Sequence, residues 1–220
     1  MAYAFGALGL AGWLKRKRGW RTPYTRKTFH FLTFAMAAAL QWHSGTRAVC
    51  LFGAMTSLAI FFAVWRGDGN LFYEAMARER DAPRRTHYIF VPYLATLVGG
   101  VSSSLLFGPA AFTGFLVTGL GDAIGEPVGA RFGKHRYPVP SLRSVPSTRS
   151  LEGSAAVFAV SALSVAVALI GIFHMHPSPL VCMQILGIAL ASALLEAISP
   201  HGWDNATLQI APSYLVYLLV

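Results

Sequence analysis

A chain of 220 residues is sized for one domain, but it is 55% hydrophobic and only 12% charged, about half the charge of an ordinary soluble domain. A soluble core of this size cannot absorb so much apolar side chain, so the surplus must face lipid. The net charge of +9 would suggest nucleic acid in a soluble protein. Here the basic residues stand between hydrophobic runs, the pattern of membrane flanks.

A membrane-crossing helix needs roughly 20 apolar residues. The first apolar stretch, about 2–14, is short for a full span, and its charges follow rather than precede it, so no cleavable leader is expected. The run 28–42 is also short but serves as a span with its flanks. Clear candidates follow at 46–65, 87–107, 109–128, 152–174 and 178–198, and 206–220 is again short. The expectation is an all-α polytopic bundle of seven or eight helices in a single domain. Cys50 and Cys182 lie within apolar runs without metal or disulfide spacing and read as reduced packing residues.

Charge in the connections gives an orientation. Lys15, Arg16, Lys17, Arg18, Arg21, Arg26 and Lys27 follow the first segment. Arg66, Arg78, Arg80, Arg84 and Arg85 surround the third connection, and Arg131, Lys134, Arg136, Arg143 and Arg149 the fifth. Of 18 basic residues only Arg47 falls elsewhere. Positive charge marks the cytoplasmic side, so the N-terminus is expected outside and the odd-numbered connections in the cytoplasm.

Ionisable residues within apolar segments are costly and each needs a reason. Asp122 and Glu126 are one helical turn apart and share a face. A divalent cation relieves such a pair, and Mg²⁺ takes one or two carboxylates together with phosphate oxygens; an ion pair with a nearby Arg is the plainer alternative. Gly121, Gly125, Gly129 and Gly133 recur every four residues. They form either a helix-packing stripe or a backbone open to phosphate. Pro127 is expected to kink or end the helix, which favours the second. The connection 134–150, rich in Pro, Ser and Arg, reads as a surface loop, either a solvated connector or an anion-handling segment.

Thr148-Arg149-Ser150-Leu151-Glu152-Gly153-Ser154 opens the next helix, where N–H groups and the dipole favour an anion; ordinary capping is the plainer reading. Arg26, Lys27 and His30 open an earlier helix, and Glu196, Asp204 and Asn205 close a later one. Charge topology brings these four regions to one membrane face. Carboxylates for a cation and donors for phosphate then meet at a lipid–water boundary, which suits phosphoryl transfer from a nucleotide to a lipid. A transport path would carry its polar groups nearer the midplane.

At these residues the chain resembles the phytol kinase/dolichol kinase family of polyprenol kinases. The resemblance rests on Arg26-Lys27-Thr28-Phe29-His30, on Gly121-Asp122-Ala123-Ile124-Gly125 followed by Gly129 and Gly133-Lys134, on Ser150-Leu151-Glu152-Gly153-Ser154, and on Glu196 with Asp204-Asn205. Arg78-Glu79-Arg80-Asp81-Ala82-Pro83 is similar to the phytol kinase version of the third connection. Arg149 stands where the family usually has Lys, and Pro127 is a further departure.

The resemblance implies an integral-membrane kinase that phosphorylates a long-chain isoprenoid alcohol at the cytoplasmic face, with CTP as donor. In that reading Asp122 and Glu126 hold Mg²⁺, and the base that takes the hydroxyl proton is Asp122, His30 or Glu196. Nucleotide and phosphate fall to Arg26, Lys27, Gly121, Gly125, Gly129, Gly133, Lys134, Arg149, Ser150, Glu152, Gly153, Ser154, Asp204 and Asn205. A phosphatidate cytidylyltransferase would share the lipid, the nucleotide and the metal, but its terminal signature is absent from this chain. A diacylglycerol kinase of the same family and a small membrane transporter are rival readings of the same residues.

Overall fold

The structure, a computed structural model, describes residues 1–140, 147–200 and 202–220. Helix α1 (Ala2–Arg18) ends on Gly19, whose φ of 66° lets its own N–H bond the Lys15 carbonyl and the following Trp20 N–H bond the Leu14 carbonyl. Lys15 to Arg18 fill the last turn, where cations complement the helix dipole. Helix α2 (Thr22–Arg66) is folded back on itself as a hairpin. Gly45 breaks it at φ 74°, ψ −173°, a conformation that favours glycine. Its two legs run antiparallel, because Phe29 clusters with Ile60 and Ala63 while Phe34 clusters with Val49 and Phe52. The two expected spans at 28–42 and 46–65 are these two legs.

A short helix α3 (Leu71–Met76), capped by the Asn70 side chain, and a 3₁₀ turn (Glu79–Asp81) lead to α4 (His87–Phe107). Gly108, at φ 51°, and a 3₁₀ turn (Gly108–Ala110) reverse the chain into α5 (Ala111–Phe132). Helix α6 (Leu151–Ala166) runs on through a π-helical turn (Val167–Ile172). After it come α7 (Pro179–Ile198), begun by the Ser178 cap, and α8 (Asp204–Tyr217). Among the described residues, four helical stretches are long and apolar enough to cross a membrane: Thr22–Arg66, His87–Phe132, Leu151–Ile172 and Pro179–Ile198. On α7 the stripe Leu180, Met183, Leu186, Leu190 and Leu194 points outward and is exposed, as a lipid-facing surface requires. Cys50 and Cys182 are free thiols.

The all-α expectation holds, with one addition. The connection expected as a loop contains a small hairpin, β1 (Arg136–Val139) paired antiparallel with β2 (Ser147–Ser150), Arg136 opposite Ser150. Alternation explains it: Val139 is buried while Arg136 and Pro138 are exposed. The middle of that connection, with Arg143, lies outside the described residues.

A second expectation needs correction. Pro127 does not end α5, which continues to Phe132. An internal proline costs roughly 3 kcal/mol, and packing against α6 outweighs it. The glycine stripe is what permits that packing. A Cβ at Gly125 would lie 2.5 Å from Val157 Cγ2, and one at Gly129 would lie 2.9 Å from Ser150 Oγ. Gly125→Val should therefore force α5 and α6 apart, destabilising the protein by about 1–3 kcal/mol. A thermal melt of the purified variant in detergent checks this, and an unchanged transition counts against the stripe as a packing device.

Candidate active site

One end of the bundle collects the four regions singled out in the sequence. The first leg of α2 supplies Arg26 and Lys27, and the C-terminal half of α5 supplies Asp122, Gly125, Glu126 and Gly129. Strand β2 and the start of α6 supply Arg149, Ser150, Gly153 and Ser154. The end of α7 supplies Glu196, and the start of α8 supplies Asp204 and Asn205. All of them line a single cavity of about 220 Å³. Asp122 and Ser150, drawn from separate elements, thus share one chamber.

Two ion-pair networks hold its walls. On the first, the buried Lys27 ammonium pairs with Asp122 and lies 2.9 Å from Glu126 Oε2. Asp122 Oδ2 is also 3.4 Å from His30 Nε2, which is 3.2 Å from the Thr118 carbonyl. Since a carbonyl only accepts, Nε2 is the protonated nitrogen. Glu126 Oε1 accepts from Arg78 Nη2 at 3.0 Å. On the second wall, Arg149 reaches Glu196 Oε1 at 2.7 Å and Asp204 Oδ2 at 2.8 Å. It also donates to the backbone carbonyls of Glu196 and Ser199. Asn205 donates to Thr96 Oγ1 at 2.8 Å, joining α8 to α4. Ser150 Oγ caps α6 by accepting from the Gly153 N–H at 3.1 Å. Ser154 Oγ contacts the Tyr137 hydroxyl at 2.6 Å.

Several expected residues stand elsewhere. Lys134 is exposed and does not line the cavity. Glu152 turns toward the hairpin, where its Oε1 lies 2.8 Å from His135 Nδ1. Gly121 and Gly133 lie outside the lining. Gly121 approaches α6 at Val157, and the Gly133 N–H is spent on the Gly129 carbonyl. In contrast, Arg136 and Thr148 line the cavity, and Arg78, only 3% exposed, braces Glu126 from behind. Arg78 hid among loop charges; a basic residue beside the apolar Ala75-Met76-Ala77 run was the available signal.

A second cavity of about 170 Å³ adjoins the first. It lies between the α2 hairpin and α4 and is walled mostly by apolar and aromatic groups, among them Phe29, Phe34, Ile60, Ile89, Leu97 and Phe115. His30 lines this chamber, and Arg26, Pro92 and Asn205 line both. Outside the spans, a collar fixes the basic connections to the same end of the bundle. Lys15 binds Glu79 at 2.7 Å and Glu74 at 3.3 Å, and Arg85 binds Glu74 at 2.7 Å. Burial raises the Glu74 carboxyl, but hydrogen bonds from Arg85, the Gly69 N–H and Lys15 outweigh it and bring it to about 2. The Lys15 hydrogen bond likewise lowers Glu79.

Asp122 and Glu126 offer hard oxygen donors on one helix face, the chemistry Mg²⁺ requires. Among the described residues no group of three or more His, Cys, Asp or Glu side chains gathers tightly enough to hold a metal ion. Lys27 bridges the two carboxylates, and His30 and Arg78 face their remaining oxygens, so an ion would have to exchange with the Lys27 ammonium there and would be completed by phosphate oxygens rather than by an all-protein cage.

Comparison with known proteins adds one finding. Phytol kinase of Synechocystis sp. is 34% identical to this chain over 125 residues, covering 56% of this chain and 50% of that protein. The chain is similar to a phytol kinase. The family resemblance read from the motifs is borne out by this match. The phytol kinase alignment spans about half the length of that relative. No family model matches the chain, and no solved structure matches it.

Proposed function

We propose that this chain is a CTP-dependent kinase that converts a long-chain isoprenoid alcohol, of the phytol or geranylgeraniol type, to its monophosphate. The observation that carries this reading is the contact between two unlike cavities, one charged and one apolar, through Arg26, Pro92 and Asn205. A triphosphate suits the first. An alcohol entering sideways from the bilayer suits the second, its tail among the aromatic walls and its hydroxyl toward the shared boundary.

In this reading the α6 N-terminus, with Ser150, Ser154 and the Arg149 side, receives phosphate oxygens, as helix N-termini do. Arg26 and Lys27 are the nearby cations that can offset charge in the transferring group. Asp122 and Glu126 hold Mg²⁺, which when bound neutralises phosphate charge and fixes the phosphate oxygens. The hydroxyl proton passes to a base as the new bond forms, with His30, Asp122 and Glu196 in range of the two chambers. The excess of Lys and Arg at this end of the bundle supports placing it in the cytoplasm, with the N-terminus outside.

The test is a panel of isoprenoid alcohols and diacylglycerol against CTP, ATP, GTP and UTP, with purified protein in detergent. The reading expects CDP plus an isoprenoid monophosphate. Pyrophosphate plus a CDP-lipid would make it a cytidylyltransferase, and preference for diacylglycerol would move it within the family. Absence of turnover with flux in proteoliposomes would replace the kinase by a transporter.

A further inference from the structure

The two adjacent cations at the start of α2 do different things. Lys27 is buried and engaged by two carboxylates, Asp122 and Glu126. Arg78 is engaged by Glu126, and Arg149 by Glu196 and Asp204. Arg26 is half-buried, and among the described residues it makes no hydrogen bond or ion pair at contact distance, though it feels the charge of Arg78 and those of Glu126, Asp122 and Asp204 through space. It is also the cation that lines both chambers; Pro92 and Asn205, the other shared residues, carry no charge. Arg136 lines the charged chamber alone and is exposed.

We infer that Arg26 is the catalytic cation of the transfer step, held without a protein counter-ion at the boundary where the γ-phosphoryl group meets the acceptor hydroxyl. This rests on the kinase reading above and separates the roles of the two neighbouring cations. In the step, the alcohol oxygen bonds to the γ-phosphorus and the bond from that phosphorus to the β–γ bridging oxygen breaks. Nucleoside diphosphate leaves, and the hydroxyl proton goes to one of the bases named above. Charge spreads over the equatorial oxygens in the transition state. A guanidinium offers several donors in a fixed fork, and one already free of carboxylates need not break an ion pair to use them. Lys27, in contrast, holds the acidic wall together and would have to give up its partners to act on phosphate.

The experiment compares Arg26→Ala, Arg26→Gln and Arg26→Lys with wild type, using CTP and the alcohol that the panel selects. Arg26→Ala and Arg26→Gln should lower kcat by roughly 10²- to 10³-fold, with both KM values moving less than about tenfold. Arg26→Lys should recover only part, because an ammonium lacks the fork. Millimolar guanidinium added to Arg26→Ala should restore turnover and leave wild type unchanged. Melting temperatures verify folding, and the Gln and Lys variants serve if the Ala variant does not fold. An active wild type whose Arg26 variants keep kcat within about threefold, or lose affinity alone, overturns the inference while leaving the kinase reading intact. A wild type that phosphorylates no alcohol with any nucleotide overturns that reading and the inference with it.

Discussion

Asp122→Asn should abolish phosphoryl transfer while leaving the protein folded. The substitution keeps the side chain's shape and removes one negative charge. Lys27, the buried cation it pairs with, still has Glu126 Oε2 at 2.9 Å, so no ammonium is stranded. His30 Nε2 likewise keeps the Thr118 carbonyl at 3.2 Å. The chemistry has no such reserve. In the proposed role Asp122 is one of two carboxylates for the cation that neutralises the triphosphate, and an amide oxygen is a far weaker partner for a hard ion. Loss of a preorganised electrostatic group in a dry site costs about 10²–10³ in rate, and loss of a metal ligand should exceed that. Transfer of label from γ-labelled CTP to lipid measures it, alongside a melting curve. Turnover like the wild type's would remove Asp122 from the mechanism, and a collapsed melt would make its role structural.

The legible part of this protein was the part written in periodicity and charge. The two legs of α2, then α4, α6 and α7, were found because each is a long apolar run, and nothing else competes for such runs in a chain this hydrophobic. The convergence of Lys27, Asp122, Ser150, Glu196 and Asp204 was found because basic connections mark one end of the bundle, and that end then collects the polar residues of every helix reaching it. What failed was local. Pro127 reads as a helix end only if its own cost decides, whereas Gly125 and Gly129 let α5 lie close against α6 and packing decides instead. The β-hairpin went unseen because four-residue strands leave little periodicity in a Pro-rich connection. Lys134 and Glu152 show the limit of motif reasoning: both stand in the expected order, yet one is exposed and the other faces His135. Sequence order places a residue on an element, and only packing decides which way that element turns it. The apolar chamber was beyond sequence reach altogether, since a cavity is a gap between helices and no single helix encodes it.

Arg149→Met should be the most destabilising of the cavity substitutions, and its reason is burial. Arg149, Glu196 and Asp204 retain only 12%, 13% and 12% of their side-chain exposure. Arg149 is the cation in direct contact with both acids, and it also binds the carbonyls of Glu196 and Ser199 where α7 ends. Removing it leaves two buried carboxylates facing each other's field, and breaking a buried ion pair from one side costs about 3–5 kcal/mol. In a chain of this size that is a fall of roughly 6–20 °C in melting temperature. Arg149→Lys should retain part of the stability, since a single ammonium can approach one acid closely but cannot span both and the α7 carbonyls as a fork does. The decisive measurement is the cycle in which Glu196→Gln and Asp204→Asn are added to Arg149→Met. If the cost comes from uncompensated carboxylates, neutralising them should restore much of the lost melting temperature. If the triple variant melts as low as Arg149→Met, the arginine stabilises through its carbonyl bonds and not through charge. If Arg149→Met melts with the wild type, the second wall of the cavity is not held by this network.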